Sequence, residues 1–197
     1  MSMYKKIALL SALLCTAALC ASDIRPWLEV KPSCFLFSSS PLKDIYDNCF
    51  EIQGSASIPV RDCLALYGSI GYRKAHGNAL NTCEKTSLTV VPIDIGIKPI
   101  FTFCEHFYSF FAMGPRFFYF NQHNNSPYVD CKIDGGSVGF FVNTGINVEL
   151  TDCILLGIFG EYSYEKKKNC PKRPHVYSNG KVQMGGFALG GSVGCAF

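Results

Sequence analysis

The chain is short of charge. Of its 197 residues only 17% are Asp, Glu, Lys or Arg, and the formal net charge is +3. Soluble domains carry about a quarter charged residues, and nucleic-acid binders add a strong basic excess. That class is excluded here, because the only dense basic cluster is residues 166–173. A disordered composition is missing too: 48% of the residues are hydrophobic, with 16 Phe and 10 Tyr. Beyond residue 21 there is no run of 18 apolar residues, which excludes a further spanning helix. Amphipathic helical spacing is scarce, which argues against a helical bundle. No Cys-x-x-Cys pair occurs, so a zinc site is not expected. No Gly-rich loop follows a strand and opens a helix, so the 18 glycines are not a nucleotide site.

What is present begins with an export segment. Lys5 and Lys6 precede an apolar stretch from Ile7 to Leu19, and the small residue Ala21 ends a processing site. Residues 1–21 therefore read as a signal peptide, and residues 22–197 as one domain. Lipidation at Cys20 competes with cleavage after Ala21. Eleven cysteines, less Cys15 and Cys20, leave nine in the mature chain.

The mature chain alternates apolar and polar residues with a period of two, the signature of strands with unlike faces. In 138–150, Val138, Phe140, Val142, Ile146, Val148 and Leu150 oppose Gly139, Asn143, Gly145, Asn147 and Glu149. Similar splits predict eight strands, at 27–37, 49–59, 63–74, 88–101, 107–120, 136–150, 153–165 and 182–197. Short turns at 60–62, 102–106 and 151–152 alternate with long polar loops at 38–48, 75–87, 121–135 and 166–181. This pattern predicts an all-β, eight-stranded, antiparallel up-and-down transmembrane β-barrel. A closed barrel leaves no sheet edge unsatisfied in lipid. A water-soluble barrel with the opposite parity fits the alternation equally well. The abundance of Gly, Ala and Ser on one face, and of aromatics near strand ends, favours lipid.

The unit 59–72 (PVRDCLALYGSIGY), the strand 111–117 (FAMGPRF) and the ending 194–197 (GCAF) carry a resemblance. The layout resembles the small eight-stranded outer-membrane barrels, the superfamily of the OmpA membrane domain, OmpX and OmpW. The resemblance implies a cell outer membrane location, with outer-membrane lipid and lipopolysaccharide as surroundings. It also implies recognition of Phe187, Leu189, Val193 and Phe197 by the barrel-assembly machinery. Cys195 stands where that family more often has an aromatic residue. The expected function is a structural, surface-exposed envelope protein, not an enzyme, with adhesion as an added role. A narrow channel for small solutes and a lipid-modifying barrel enzyme are the alternatives.

The polar face collects both signs of charge: Glu29, Lys31, Glu51, Arg73, Asp94, Lys98, Arg116, Glu149, Glu161 and Glu165. Buried charges persist only when paired, so an ionic plug is expected, with Arg116 beside Glu161 or Asp94 at its centre. The cysteines map one per connection. Cys49, Cys83, Cys131 and Cys170 fall in or beside the long loops, and Cys63, Cys104 and Cys153 fall at the short turns. Cys195 lies near the short-turn rim, and Cys34 on the first strand. Neighbouring short turns sit about 9–10 Å apart, beyond the roughly 7 Å Cα reach of a disulfide. The long-loop thiols are therefore expected to pair within the molecule and the others to link to other proteins. This resembles the cysteine-rich, disulfide-bonded outer-membrane complexes of obligate intracellular bacteria. Lys166, Lys167, Lys168, Lys172 and Arg173 form a candidate contact for an anionic host surface. His76, His123 and His175 are assigned to long loops and His106 to a short turn, without catalytic spacing to Ser or Asp. No cofactor, metal or nucleic acid is expected.

Overall fold

Strict alternation builds the wall. In β1 (Trp27–Phe37) every second side chain is buried and every other one exposed, over all 11 residues. The computed structural model describes residues 25–46, 49–78, 85–124, 132–165 and 184–197. Seven further strands follow: β2 (Cys49–Arg61), β3 (Leu64–Asn78), β4 (Lys85–Cys104), β5 (Phe107–Asn124), β6 (Lys132–Glu149), β7 (Ile154–Tyr164) and β8 (Gly186–Ala196). Each pairs with its sequence neighbour, and β1 pairs antiparallel with β8, so the sheet closes into a barrel. The segment 1–21 lies outside the described residues.

Proline marks the places where the ladder is interrupted. Pairing of β1 with β8 skips from Val30 to Ser33, around Pro32, and pairing of β4 with β5 skips from Asp94 to Ile97, opposite Pro115. Proline has no N–H to donate to a neighbouring strand. The wall tolerates the gaps because pairing resumes on either side.

The outside is apolar. Leu28, Val30, Ile70, Ile95, Val138, Ile158 and Val193 all point outward, and Ile158 is 67% exposed. Toward the long-loop end Tyr72, Phe117, Tyr119, Phe140 and Tyr162 continue this surface, and Phe103, Phe107 and Phe197 do so toward the short turns. Polar side chains, including four cations and five carboxylates, are buried inside. An apolar outside around a polar inside inverts a water-soluble barrel and suits a hydrocarbon solvent. Among the described residues no helix is long and apolar enough to cross a membrane; the strands are the crossing elements.

Two features depart from the sequence reading. The loop expected at 38–48 contains a short helix, α1 (Ser40–Ile45), with Pro41 in its first turn, where a missing N–H costs nothing. Leu42 and Tyr46 from this segment are buried inside the barrel mouth. A Cβ on Gly77 would meet the backbone of Ile45, so only glycine permits α1 to lie this close to β3. The strands β3 to β6 also run beyond their expected ends, to Asn78, from Lys85, to Asn124 and from Lys132. They form a tall side of the barrel of 15, 20, 18 and 18 residues, against 11, 13, 11 and 11 for β1, β2, β7 and β8.

Candidate functional site

Inward parity brings the charged residues of β1 to β5 and β7 into one column, arranged in three tiers. The tier nearest the short turns centres on Glu29. Lys98 Nζ donates to Glu29 Oε2 at 2.8 Å and to Ser57 Oγ at 3.2 Å. Asn147 Nδ2 donates to Glu29 Oε1 at 2.9 Å, and Lys31 Nζ lies 3.9 Å from Glu29 Oε2. Aromatic rings complete the surroundings of both lysines. Lys31 Nζ sits 5.1–5.2 Å from the ring centres of Tyr67, Phe110 and Phe159. Lys98 Nζ lies 4.3 Å from that of Phe110 and 4.6 Å from that of Trp27. Ring faces are negative, so they stabilise cations removed from water.

The middle tier centres on Arg116. Asp94 is its direct cross-strand partner, and Nε and Nη2 donate to the two Asp94 oxygens at 2.5 and 2.6 Å. Nη2 also reaches Glu161 Oε1 at 2.6 Å. Ser69 donates to Asp94 at 2.6 Å, and Asn143 and Gln53 donate to Glu161 at 3.0 and 3.2 Å. This fork geometry is among the strongest charge-assisted arrangements available. Each carboxylate accepts further neutral donors, which is what a buried ion pair needs.

The third tier is looser. Arg73 is opposite Glu51 in register, yet Nε stays 3.6 Å from Glu51 Oε2. Its guanidinium carbon lies 3.5 Å from the centre of the Phe35 ring. None of its three guanidinium nitrogens has a hydrogen-bond partner. Glu51 turns its other oxygen to Gln53 Nε2 at 2.6 Å.

Apolar clusters close the column at both ends. Trp27, Ile100, Phe110, Leu155, Phe159 and Ala196 pack together at the short-turn end. Phe35, Phe37, Leu42, Leu88, Phe118, Phe120 and Met184 pack together at the long-loop end, with Tyr46 of the α1 segment. The structure thus modifies the expected small-residue lumen: glycine and alanine are present, but large rings fill both mouths. In β5 the outward face meets lipid while the inward face meets these clusters, so both faces carry rings: Phe107, Phe117 and Tyr119 outside, Phe110, Phe118 and Phe120 inside.

Most expected charge-network residues are inside. Glu29, Lys31, Glu51, Arg73, Asp94, Lys98, Arg116, Glu161 and Glu165 are all buried. Glu149 is the exception. It is half-buried on the short-turn rim, where Arg25 pairs with it and Tyr108 donates to it at 2.6 Å. Gln53, Ser57, Ser69, Asn143 and Asn147, which receive no role in the sequence reading, complete the network. Their inward parity was the available signal.

Among the described residues six cysteines are free thiols: Cys34, Cys49, Cys63, Cys104, Cys153 and Cys195. Cys49, expected beside a long loop, opens β2 with its side chain buried in the long-loop cluster. A thiol held there is not available at the surface for pairing. Cys104, Cys153 and Cys195 are exposed and Cys63 is half-buried, all toward the short-turn end. Cys83, Cys131, Cys170, His175 and the basic run Lys166, Lys167, Lys168, Lys172 and Arg173 lie outside the described residues. His106 is exposed at the short-turn end, whereas His76 and His123 are exposed on the tall side at the other end. Of the residues expected to guide assembly, Phe187, Leu189, Val193 and Phe197 all project outward on one face.

No family model and no curated protein sequence matches the chain. Solved structures do. Neisserial surface protein A (NspA) superposes with a TM-score of 0.58 at 16% identity, covering 87% of this chain and 97% of that one. The outer membrane protein OprG from Pseudomonas aeruginosa gives 0.58 at 9% identity, covering 90% and 98%. Ail, the attachment invasion locus protein of Yersinia pestis, solved in complex with the heparin analogue sucrose octasulfate, gives 0.54 at 9% identity, covering 88% and 99%. At these identities the likeness is one of architecture, and the chain has the fold of the small eight-stranded outer-membrane β-barrels.

Proposed function

We propose that this chain is a structural, surface-exposed barrel of the bacterial outer membrane, exported by removal of residues 1–21. One observation carries the reading: the lumen is filled by paired charges and sealed by rings at both ends. An eight-stranded barrel is just wide enough for side chains to fill it, and Lys98, Arg73 and Arg116 are all 0% exposed. A conducting pore would require the Arg116 cluster to break and both apolar clusters to open. The proposed task of the interior is therefore mechanical: it locks the wall, while the rims make contacts.

Two contacts belong to this proposal. The exposed thiols of Cys104, Cys153 and Cys195, together with Cys63, face the side away from the long loops. In an oxidising envelope they would form mixed disulfides with cysteine-bearing envelope proteins on that side. The run from Lys166 to Arg173 would meet anionic surfaces on the other side. The Ail complex with a heparin analogue supports looking for sulfated ligands there.

Planar-bilayer recording together with non-reducing gels tests the proposal. Silence in bilayers, with thiol-dependent high-mass bands from intact envelopes, is the expected result. Steady unitary conductance from the wild-type protein would replace it with the channel reading. A purely monomeric band without reductant would remove the cross-linking part.

A further inference from the structure

We propose that the outward face of the tall side, carried by β3, β4 and β5, is a docking surface for the anionic headgroups of the lipid leaflet around the barrel. This rests on the outer-membrane reading above and names a partner for one specific face. The wall changes character above its upper aromatic row. Up to Tyr72 and Tyr119 the outward positions are apolar or aromatic. Beyond them the same outward parity delivers Lys74 and His76 on β3, Lys85 on β4 and His123 on β5, all exposed. Register places them side by side. His76 lies opposite Ser87, which lies opposite His123, and Lys74 lies opposite Thr89 one step below. Lys85 is two residues beyond Ser87 on the same face.

The dimensions suit a headgroup layer. Adjacent strands are about 4.8 Å apart and a two-residue step rises about 6.8 Å. The two lysines and two histidines therefore fall within the first two or three rows above the aromatic residues, across three strands. Among the described strand residues one exposed acid shares the level: Asp134 on β6, opposite Asn121 and directly beside β5. Among the described residues the patch is one-sided. On β1, β2, β7 and β8 the outward residues nearest the long loops are apolar or aromatic: Leu36, Phe50, Tyr164 and Phe187.

Direction selects the occupant. These side chains leave the wall sideways, away from the barrel axis and just above the apolar band. They therefore face the layer where lipid headgroups lie. A soluble polyanion arriving along the axis meets the loops first. Basic groups near an anionic membrane surface each favour binding by roughly fivefold, an effect that salt weakens within a Debye length.

The test uses the full mature chain in phosphatidylcholine vesicles with a minor share of phosphatidylglycerol. Spin-labelled versions of each lipid report the fraction immobilised at the barrel. The wild-type protein is expected to hold phosphatidylglycerol several-fold more strongly than phosphatidylcholine at low salt. Lys74→Gln with Lys85→Gln should bring the two lipids close to parity, and Asp134→Asn should strengthen the preference. Heat-shifted gel migration verifies that each variant is a folded barrel. A wild-type chain without that shift overturns the membrane reading and this surface with it. A shifted wild-type chain with no headgroup preference overturns the surface alone. So does a preference that survives the double lysine variant, or that follows Lys166→Gln, Lys167→Gln and Lys168→Gln instead. Heparin binding abolished by the double lysine variant, without lipid selectivity, would also overturn it and identify a soluble polyanion as the occupant.

Discussion

Asp94–Arg116 and Glu51–Arg73 are the same chemistry in the same relation. Each sets an arginine directly opposite a carboxylate on the neighbouring strand, with both side chains inside the barrel. The first forms a fork with contacts of 2.5 and 2.6 Å. The second stays at 3.6 Å, with its guanidinium stacked on Phe35. Register does not account for the difference. Neighbours do: Ser69, Asn143 and Gln53 organise the carboxylates around Arg116, whereas Gln53 draws Glu51 away from Arg73 and a ring occupies the guanidinium face. A buried ion pair is strong when its remaining lone pairs and N–H groups are also satisfied. The tier around Arg116 comes nearer to that condition: of its guanidinium nitrogens only Nη1 lacks a hydrogen-bond partner, whereas all three of Arg73 do.

The largest effect should come from Arg116→Met. It leaves Asp94 and Glu161 buried without their cation, a loss of roughly 3–5 kcal/mol, measured by urea unfolding in detergent or vesicles. Adding Asp94→Leu and Glu161→Leu should recover much of it. A cost for Arg116→Met near zero would end the plug idea. Next comes Gly77→Val, which forces α1 away from β3. Overpacking of this kind costs about 1–3 kcal/mol, and protease cleavage after Lys43 should accelerate. Uncapping the long-loop end should admit water to Arg73 before Arg116, which sharpens the contrast between the tiers.

Arg73→Met should cost less than Arg116→Met by the same unfolding assay, because it strands one buried carboxylate instead of two and Glu51 keeps Gln53. Equal costs for the two arginine variants would break the comparison. The smallest pair tests single hydroxyls. Ser69→Ala removes a 2.6 Å bond to Asp94 and should cost about 1–2 kcal/mol. Ser55→Ala removes an Oγ that has no hydrogen-bond partner and should stay within about 0.5 kcal/mol.

Much of the wall is legible in the sequence, because period-two alternation is local. β1 occupies the expected residues 27–37, and the Arg116 pairing with Asp94 and Glu161 could be named from parity and charge alone. The ring of aromatics around Lys31 could not. Tyr67, Phe110 and Phe159 come from β3, β5 and β7 and meet only because the barrel closes across its interior. The helix α1 has six residues, too few for a hydrophobic period to register. The extra height of β3 to β6 was hidden because its outward face is polar and reads like a loop. Glu149 keeps the inward parity that alternation assigns and ends β6 at the rim, where Arg25 and Tyr108 reach it.

By itself, the order of residues determined eight strands, their sequence of short and long connections, and which side chains share a face. The period of two alone did not determine which face is inside; the small residues of one face and the aromatics near strand ends only favoured a polar interior. Alternation is symmetric under exchange of its two faces, so a soluble barrel and a membrane barrel have the same period. Only closure of β1 on β8 breaks that symmetry. It curls the sheet so that Glu29, Asp94, Arg116 and Glu161 converge and the isoleucines, valines and leucines diverge. The physical reason is packing of opposite charges and donors in a narrow column. That column exists only once all eight strands surround it.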